Sequence, residues 1–436
     1  MKRVLIISPH FPPVNAPDCQ RVRMSLPYYR QFGWEAEVVA VEPQHRPDWL
    51  DPTLLETVPA EVPVHRCGAW PRRLTRLAGV QNLGLRCAPF LHRVAAGLLR
   101  SRRFDLVFFS TTQFLVTPAG LRWRRNFGVP YVIDLQDPWR SNFYERPGAP
   151  RPPGGWKYQF ARLTAWWNEE RTFRGAAGFM SVSPHYFHEL RARYDWFARR
   201  PQALIPFGGP QADFAHIRGR PQPRPAALPA DGRRHWVAAG SLGPAFGHSL
   251  RVLFSGLRRL REAEPAAADR LRLHFIGTSH APREALEPAA RPVAEAYGVA
   301  DLIAEQPGRI GYLDSLRLIE AADGLLLLGS DDLGYSPSKV YPYFMTGRPL
   351  LALARHGSLL AELLERLQGA ELVILQQPGR LDAPPREVAA CLARAASAAG
   401  PARVPRNEVW FDENFTAEAG ARRQCQFFDA VVAASA

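Results

Sequence analysis

Short apolar runs recur along the whole chain, each closed by a turn-rich loop and followed by a stretch with helical spacing. No other feature constrains the fold as tightly. Strands buried on both faces read as unbroken apolar runs, and such strands belong to parallel sheets covered by helices. In the first half the runs are "RVLIIS" (Arg3–Ser8), "WEAEVVAVEP" with Val38, Val39 and Val41, "FDLVFFSTT" (Phe104–Thr112), "VPYVIDLQDPW" (Val129–Trp139) and "AAGFMSVSP" (Ala176–Pro184). The second half repeats the pattern in "RHWVAAGSLG" (Arg234–Gly243), "LRLHFIGTS" (Leu271–Ser279), "ADGLLLLGS" (Ala322–Ser330), "RPLLALA" (Arg348–Ala354) and "AELVILQQ" (Ala370–Gln377).

A Pro/Arg-rich stretch, "RGRPQPRPAALPADGRR" (Arg218–Arg234), separates the halves. The expected organisation is a domain over 1–208, a linker over 209–233 and a second domain over 234–412. An amphipathic helix over 413–436, capped by Thr416, is expected to pack back on the first domain. At 436 residues the chain is long enough for two cores. The predicted class is α/β, two Rossmann-like doubly wound domains facing across a cleft. Ligands of such sheets sit beyond the carboxyl ends of the strands, so the loops after Ser8, Thr112, Leu135, Gly240, Gly277 and Gly329 are the places to search.

The formal charge of +14 has two readings, anionic partners or a habit of GC-rich coding. No nucleic-acid-binding module is recognisable, so nucleic acid is not expected as a partner. Five widely spaced cysteines without a C-x-x-C suggest a reducing compartment rather than a disulfide framework. The apolar run in "MKRVLIISPHFPP" is too short for a signal peptide, and no run approaches about 18 apolar residues. A cytoplasmic protein is expected, with any membrane contact at its surface.

Of 55 basic residues only three are lysines: Lys2, Lys157 and Lys339. Lys339 follows Ser336-Pro337, a good helix opening with serine at the cap and proline at the first position. A lysine in a first helical turn opposes the helix dipole by about 0.3–1 kcal/mol unless an anion neutralises it. A diphosphate would do so. The alternative is a solvated surface lysine. Pro342 would then fall at the sixth helical position, where it costs about 3 kcal/mol, unless the helix starts later. Gly240, Ser241 and Gly243 in "AGSLG" offer backbone N–H groups to phosphates.

In order along the chain, "SPHFPPVNAPDCQRVRMSLPYYRQFGWEAEVVAVEP", "VPYVIDLQDPW", "AGSLGPAFG" and "GRIGYLDSLRLIEAADGLLLLGS…SPSKVYPYFMTGRPLLAL" resemble retaining GT-B glycosyltransferases of family 4. The resemblance implies sugar transfer from a nucleotide diphosphate sugar, a UDP- or GDP-sugar above all, without a metal or other cofactor. It places the donor on the second domain and a saccharide or lipid-linked acceptor on the first. Donor contacts fall on Gly240, Ser241, Gly243, His248, Gly277, Gly311, Tyr312, Asp331, Asp332, Ser336, Ser338 and Lys339. For Tyr312 an ordinary packing role stays open, and for Asp331 and Asp332 a solvated strand end. Gln136, Asp137 and Lys339 are the catalytic candidates. Asp137 would orient a hydroxyl or cap the "DPW" turn. Asn15, Asp18 and Arg21 are acceptor candidates, with an exposed arginine face as the alternative, favoured for Arg23.

The chain departs from that family at Gly334 and Pro342, where a glutamate pair is usual, and near Gln136, where a histidine is common. A catalytically silent scaffold subunit and a nucleotide-sugar epimerase are therefore rival readings. Trp70–Arg103 carries eight arginines, no acidic residue and recurrent leucines. It reads either as a basic amphipathic helix on an anionic membrane, broken near Cys87–Pro89, or as a domain helix with an arginine-rich solvent face. His185 and His188 lack the spacing of a zinc motif, and no metal site is expected.

Overall fold

Every strand pairing is parallel, and the strands fall into two sheets. The computed structural model describes residues 1–46, 50–77, 80–140, 155–220, 222–279, 285–333, 335, 338–376, 382–397 and 405–435. The first sheet contains β1 (Lys2–Ile7), β2 (Trp34–Val41), β3 (Val64–Cys67), β4 (Leu106–Ser110), β5 (Tyr131–Leu135), β6 (Gly178–Ser181) and β7 (Gln202–Leu204). Their order is β3-β2-β1-β4-β5-β6-β7. The second contains β8 (Arg234–Ala239), β9 (Leu271–Ile276), β10 (Ile303–Gln306), β11 (Gly324–Leu328), β12 (Leu350–Arg355) and β13 (Glu371–Leu375), in the order β10-β9-β8-β11-β12-β13.

The pleat explains the apolar runs. In β1, Val4 and Ile6 enter one core with Trp34 and Phe428, while Leu5 and Ile7 enter another with Val107 and Leu91. Both faces are covered, which is why Val4 to Ile7 are all apolar.

Two units divide the chain. One comprises Met1–Gly208 and Ala417–Ala436, the other Gly209–Thr416. The stretch expected to be a linker is only partly one. Residues Gln211–Arg218 form a helix of the second unit, and Arg218 pairs with Glu320 at 2.6 Å. The final segment is two helices, Glu408–Phe415 and Ala417–Ser435, and the second belongs to the first unit.

The basic stretch takes the second of its two readings, a domain helix, without the expected break. Leu83–Ser101 is one helix that runs through Cys87 with Pro89 inside it. Its Leu83, Cys87, Leu91, Ala95 and Leu99 face the core of the first unit. That apolar stripe is therefore unavailable to a membrane.

The helix Ala417–Ser435 anchors the first unit through Phe428, whose ring packs against Tyr29, Trp34 and Phe108 at centroid distances of 6.1, 5.4 and 5.0 Å. Phe428→Ala removes that fully buried ring and should destabilise the first unit by about 3–5 kcal/mol. Urea denaturation followed by amide exchange of each unit checks the loss, with the second unit unchanged.

Candidate functional site

In the second sheet the strand order reverses between β8 and β11, so the loops leaving these strands flank the switch point where ligands of such sheets bind. The loop after β8 turns at Gly240, whose φ of +104° lies in the region that favours glycine. Gly240 N–H donates to Ile276 O at 2.7 Å and Leu242 N–H to Thr278 O at 2.9 Å, tying this loop to the end of β9. A Cβ on Gly277 would stand 3.9 Å from Gly240 Cα, so Gly240, Ser241 and Gly277 are gathered together. Gly243 closes the loop ahead of the turn Pro244–Phe246 and the helix Gly247–Ala263.

Lys339 lies across this turn. A Cβ on Gly240 would meet Lys339 Cε at 2.5 Å and Nζ at 2.8 Å, so a larger residue there would displace the lysine from this position. Its Nζ donates to Ser241 O at 3.3 Å and stands 6.0 Å from the Phe246 ring centre. No carboxylate among the described residues pairs with it. Burial without a compensating charge pulls the ammonium down to about 8. Tyr343, one turn further on, holds the lysine in place. Its hydroxyl accepts Ala239 N–H at 2.7 Å, and its own N–H donates to Lys339 O at 3.1 Å.

The helix here is Val340–Met345, later than a Pro337 start. Pro342 falls in its first turn, where the missing N–H breaks no helical bond, so the expected kink does not arise. Six residues make a weak dipole, and the charged feature is the ammonium rather than a helix tip. Ser336, Pro337 and Gly334 lie outside the described residues, and Ser338 is exposed.

His248 is the second residue of the helix Gly247–Ala263. Burial keeps its imidazole below the usual range, Arg251 and Arg355 add to this, and Asp331 opposes it. Asp331 is exposed; its N–H donates to Ala245 O at 2.8 Å and its carbonyl accepts from Arg355 Nη1 at 2.5 Å. Asp332 N–H donates to Ser330 Oγ at 3.2 Å. Gly311 and Tyr312 open the helix Tyr312–Ala321. Sequence reasoning missed Tyr335, which packs edge-on to Phe246 at 5.7 Å and whose phenol burial pushes up to about 12.

Downstream of β9 the backbone amides of Ala289, Ala290 and Arg291 are already taken. Glu305 accepts Ala289 N–H at 2.7 Å, Ala290 N–H at 3.1 Å, Arg291 N–H at 2.7 Å and Thr278 Oγ1–H at 2.6 Å.

In the first unit the corresponding switch point lies between β1 and β4 and holds a buried polar network. His10 Nδ1 meets Asp18 Oδ1 at 2.9 Å. Asp18 Oδ2 accepts from Thr111 Oγ1, Thr112 N–H and Thr112 Oγ1 at 3.1–3.2 Å. Although burial alone would raise it, the partners led by His10 hold Asp18 below its usual value. Gln136 Nε2 donates toward Asp18 O at 3.1 Å, Ser110 Oγ at 2.9 Å and Asp134 Oδ2 at 3.0 Å. Arg21 Nε stands 2.8 Å from Asp134 Oδ2, and Nη2 donates to Ile205 O at 2.6 Å.

These contacts correct three expectations. Asp18 and Arg21 are buried inside the network instead of lining an open loop, and Gln136 is buried with its amide committed to the network. Arg23, expected on an exposed face, is fully buried and donates to Gln20 Oε1 and Thr57 Oγ1, both at 2.8 Å. Asn15 is half-buried and donates to Asp51 Oδ2 at 3.3 Å. Asp137 alone of this group is exposed, and its carboxylate takes no hydrogen bond from a described residue. The surrounding protein, with the Asp18 charge, pushes it up to about 6. His10 was missed because a lone histidine in "SPHFPP" carries no spacing signal. Among the described residues no group of three or more His, Cys, Asp or Glu is arranged to hold a metal ion.

Two doubly wound parallel sheets, each with its polar loops at the switch point, define the GT-B class of fold. Residues 20–208 match the model of the glycosyl transferase 4-like domain family. Among solved structures the chain resembles α,α-trehalose-6-phosphate synthase of Burkholderia multivorans (TM-score 0.61, 14% identity, 100% of both chains). It also resembles HepE of Anabaena in complex with UDP (TM-score 0.58, 15% identity, 99% of this chain and 100% of that one). A third similar structure is a putative UDP-N-acetylglucosamine 2-epimerase of Listeria monocytogenes (TM-score 0.51, 14% identity, 97% and 95%). No curated protein sequence shows significant similarity.

Arg21 supplies the cation that Asp134 needs in a fully buried site. Arg21→Met should therefore destabilise the first unit by about 3–5 kcal/mol, since it strands a buried carboxylate. Equilibrium urea unfolding measures this, and Arg21→Met combined with Asp134→Asn should recover part of the loss.

Proposed function

We propose that this chain is a retaining glycosyltransferase that moves a sugar from a nucleotide diphosphate sugar to a saccharide or lipid-linked acceptor without a metal ion. One observation carries the reading. Lys339 is desolvated at the switch point, above a glycine turn, with no acidic partner among the described residues. A buried cation without a counter-ion is costly unless its ligand is the anion. The UDP held by HepE, a protein of the same fold, supports a uridine nucleotide as that ligand.

In this reading the diphosphate lies over Gly240, Ser241 and Gly243. Lys339 and the neutral imidazole of His248 donate to its oxygens. Gly277, Gly311 and Tyr312 border the base, while Asp331, Asp332 and Ser338 border the ribose and sugar. As the bond from the anomeric carbon to the phosphate oxygen breaks, negative charge grows on the leaving diphosphate, and Lys339 stabilises it. The acceptor oxygen bonds to the same face of that carbon, and its proton passes to the departing phosphate. Asp137 orients the acceptor hydroxyl, while His10, Asp18, Gln136, Asn15 and Arg21 keep the loops around it in shape. Five unpaired, buried cysteines fit a reaction in the reducing cytoplasm.

A thermal-shift screen with UDP, GDP, ADP, dTDP and their sugars tests the reading. UDP or its sugars should give the largest shift, and Lys339→Ala should abolish most of it. An unchanged shift in that variant removes Lys339 from the mechanism. A folded protein that binds no nucleotide would instead be a scaffold subunit. Transfer should persist in EDTA, and NMR of the product should show the donor's anomeric configuration.

The pH dependence follows from the lysine. With a free ammonium near 8, binding an anion raises that value, so the proton is already present below pH 8 and must be taken up above it. UDP affinity should be flat from pH 7 to 7.5 and fall toward tenfold per unit above about pH 8. Lys339→Arg, charged throughout, should remove the fall.

A further inference from the structure

The helix Trp156–Gly175 has apolar side chains on both of its sides. On one side Ala165, Thr172 and Phe173 are buried with Glu169, whose carboxylate is satisfied by Arg193 Nη1 at 2.7 Å and Tyr194 Oη at 3.0 Å. On the other, Phe160, Leu163 and Trp167 recur at i, i+3 and i+7 and are 51%, 54% and 67% exposed. Trp166 beside them is 56% exposed, its ring edge-on to Trp167 at 5.6 Å. Side chains of 150–250 Å² each, more than half exposed, make an apolar patch on the order of 400–500 Å². Scattered surface leucines need no explanation; a contiguous stripe with two tryptophans does.

We propose that this outward face seats the protein on an anionic lipid bilayer, with the tryptophans and Phe160 at the headgroup boundary. Charge complementarity selects this occupant. Residues 156–168 contain no acidic residue. Exposed Arg162, Arg171 and Arg174 lie on the helix itself. The neighbouring helix Ala119–Phe127 adds exposed Arg122, Arg124 and Arg125 with no acid, and is tied in where Arg124 Nη1 donates to Gly175 O at 2.7 Å. Glu170, half-buried, is neutralised by Arg174 at 2.7 Å. Aromatic side chains backed by arginine are the composition of a helix lying in a membrane interface. A second copy is the poorer occupant, because pairing two such faces brings together two arginine clusters on chains of +14. Among the described residues no helix is long and apolar enough to cross a membrane, so the contact is with the surface.

The proposal does not depend on the transfer chemistry, and its test is separate. Full-length protein is floated with phosphatidylcholine vesicles and with 7:3 phosphatidylcholine/phosphatidylglycerol vesicles. It should partition to the anionic vesicles alone and be released by high salt. Trp166→Ser with Trp167→Ser should lower the partition coefficient at least tenfold, with unchanged circular dichroism and unchanged nucleotide thermal shift. Arg162→Glu with Arg171→Glu, which leaves the apolar face intact, should lower it by a similar factor. Equal binding of the tryptophan variant, or equal binding to neutral vesicles, overturns the proposal. So does a lack of vesicle binding, whether the chain is then monomeric by light scattering or a dimer that the tryptophan variant dissociates.

Discussion

A single half-buried ammonium group, with no carboxylate partner among the described residues, sets the character of the second unit. Lys339 lies over the β8 turn in space that a Cβ on Gly240 would share. It stays there because Tyr343 is hydrogen-bonded to the last residue of β8. The strand end, the glycine and the tyrosine are thus three parts of one device that presents a cation at the place where the sheet changes direction. The lowered basicity of Lys339 shows what that presentation costs the free protein.

The first unit solves the same topological position in the opposite way. Its switch point is filled from within. Asp18 and Asp134 are matched to His10, Arg21, two threonines, a serine and a glutamine, so most of the charge is neutralised before any ligand arrives. Such a network fixes loop shape rather than attracting a charged molecule. Asp137, beyond its edge, is the exposed carboxylate of that strand end. One unit thus presents a cation at its switch point, and the other an internally satisfied network.

Much of this was legible in the sequence, and what was not has physical causes. The runs around Leu5, Phe108, Ile133, Val237 and Leu326 announce central strands, because both faces of those strands must be apolar. The strands passed over are β3, β7 and β10, each at the edge of its sheet. Sequences such as "VHRC" and "IAEQ" are half-exposed there and lose the apolar signal. The rarity of lysine pointed to Lys339, but its helix begins later than the Ser-Pro pair suggests, since a proline is comfortable in a first turn. Arg21 and Arg23 were read toward the surface because arginine usually is. Their burial depends on Asp134, Gln20 and Thr57, partners set by tertiary contacts. Pro89 did not break its helix, because packing along the Leu83–Leu99 stripe outweighs one lost hydrogen bond.

The carboxylate of Glu305 bears on the electrostatics of the second unit. By filling the amide cluster at Ala289–Arg291 it acts as a resident counter-anion. The β8 loop thus carries the lysine's positive charge, while the amides of Ala289–Arg291 already meet a carboxylate.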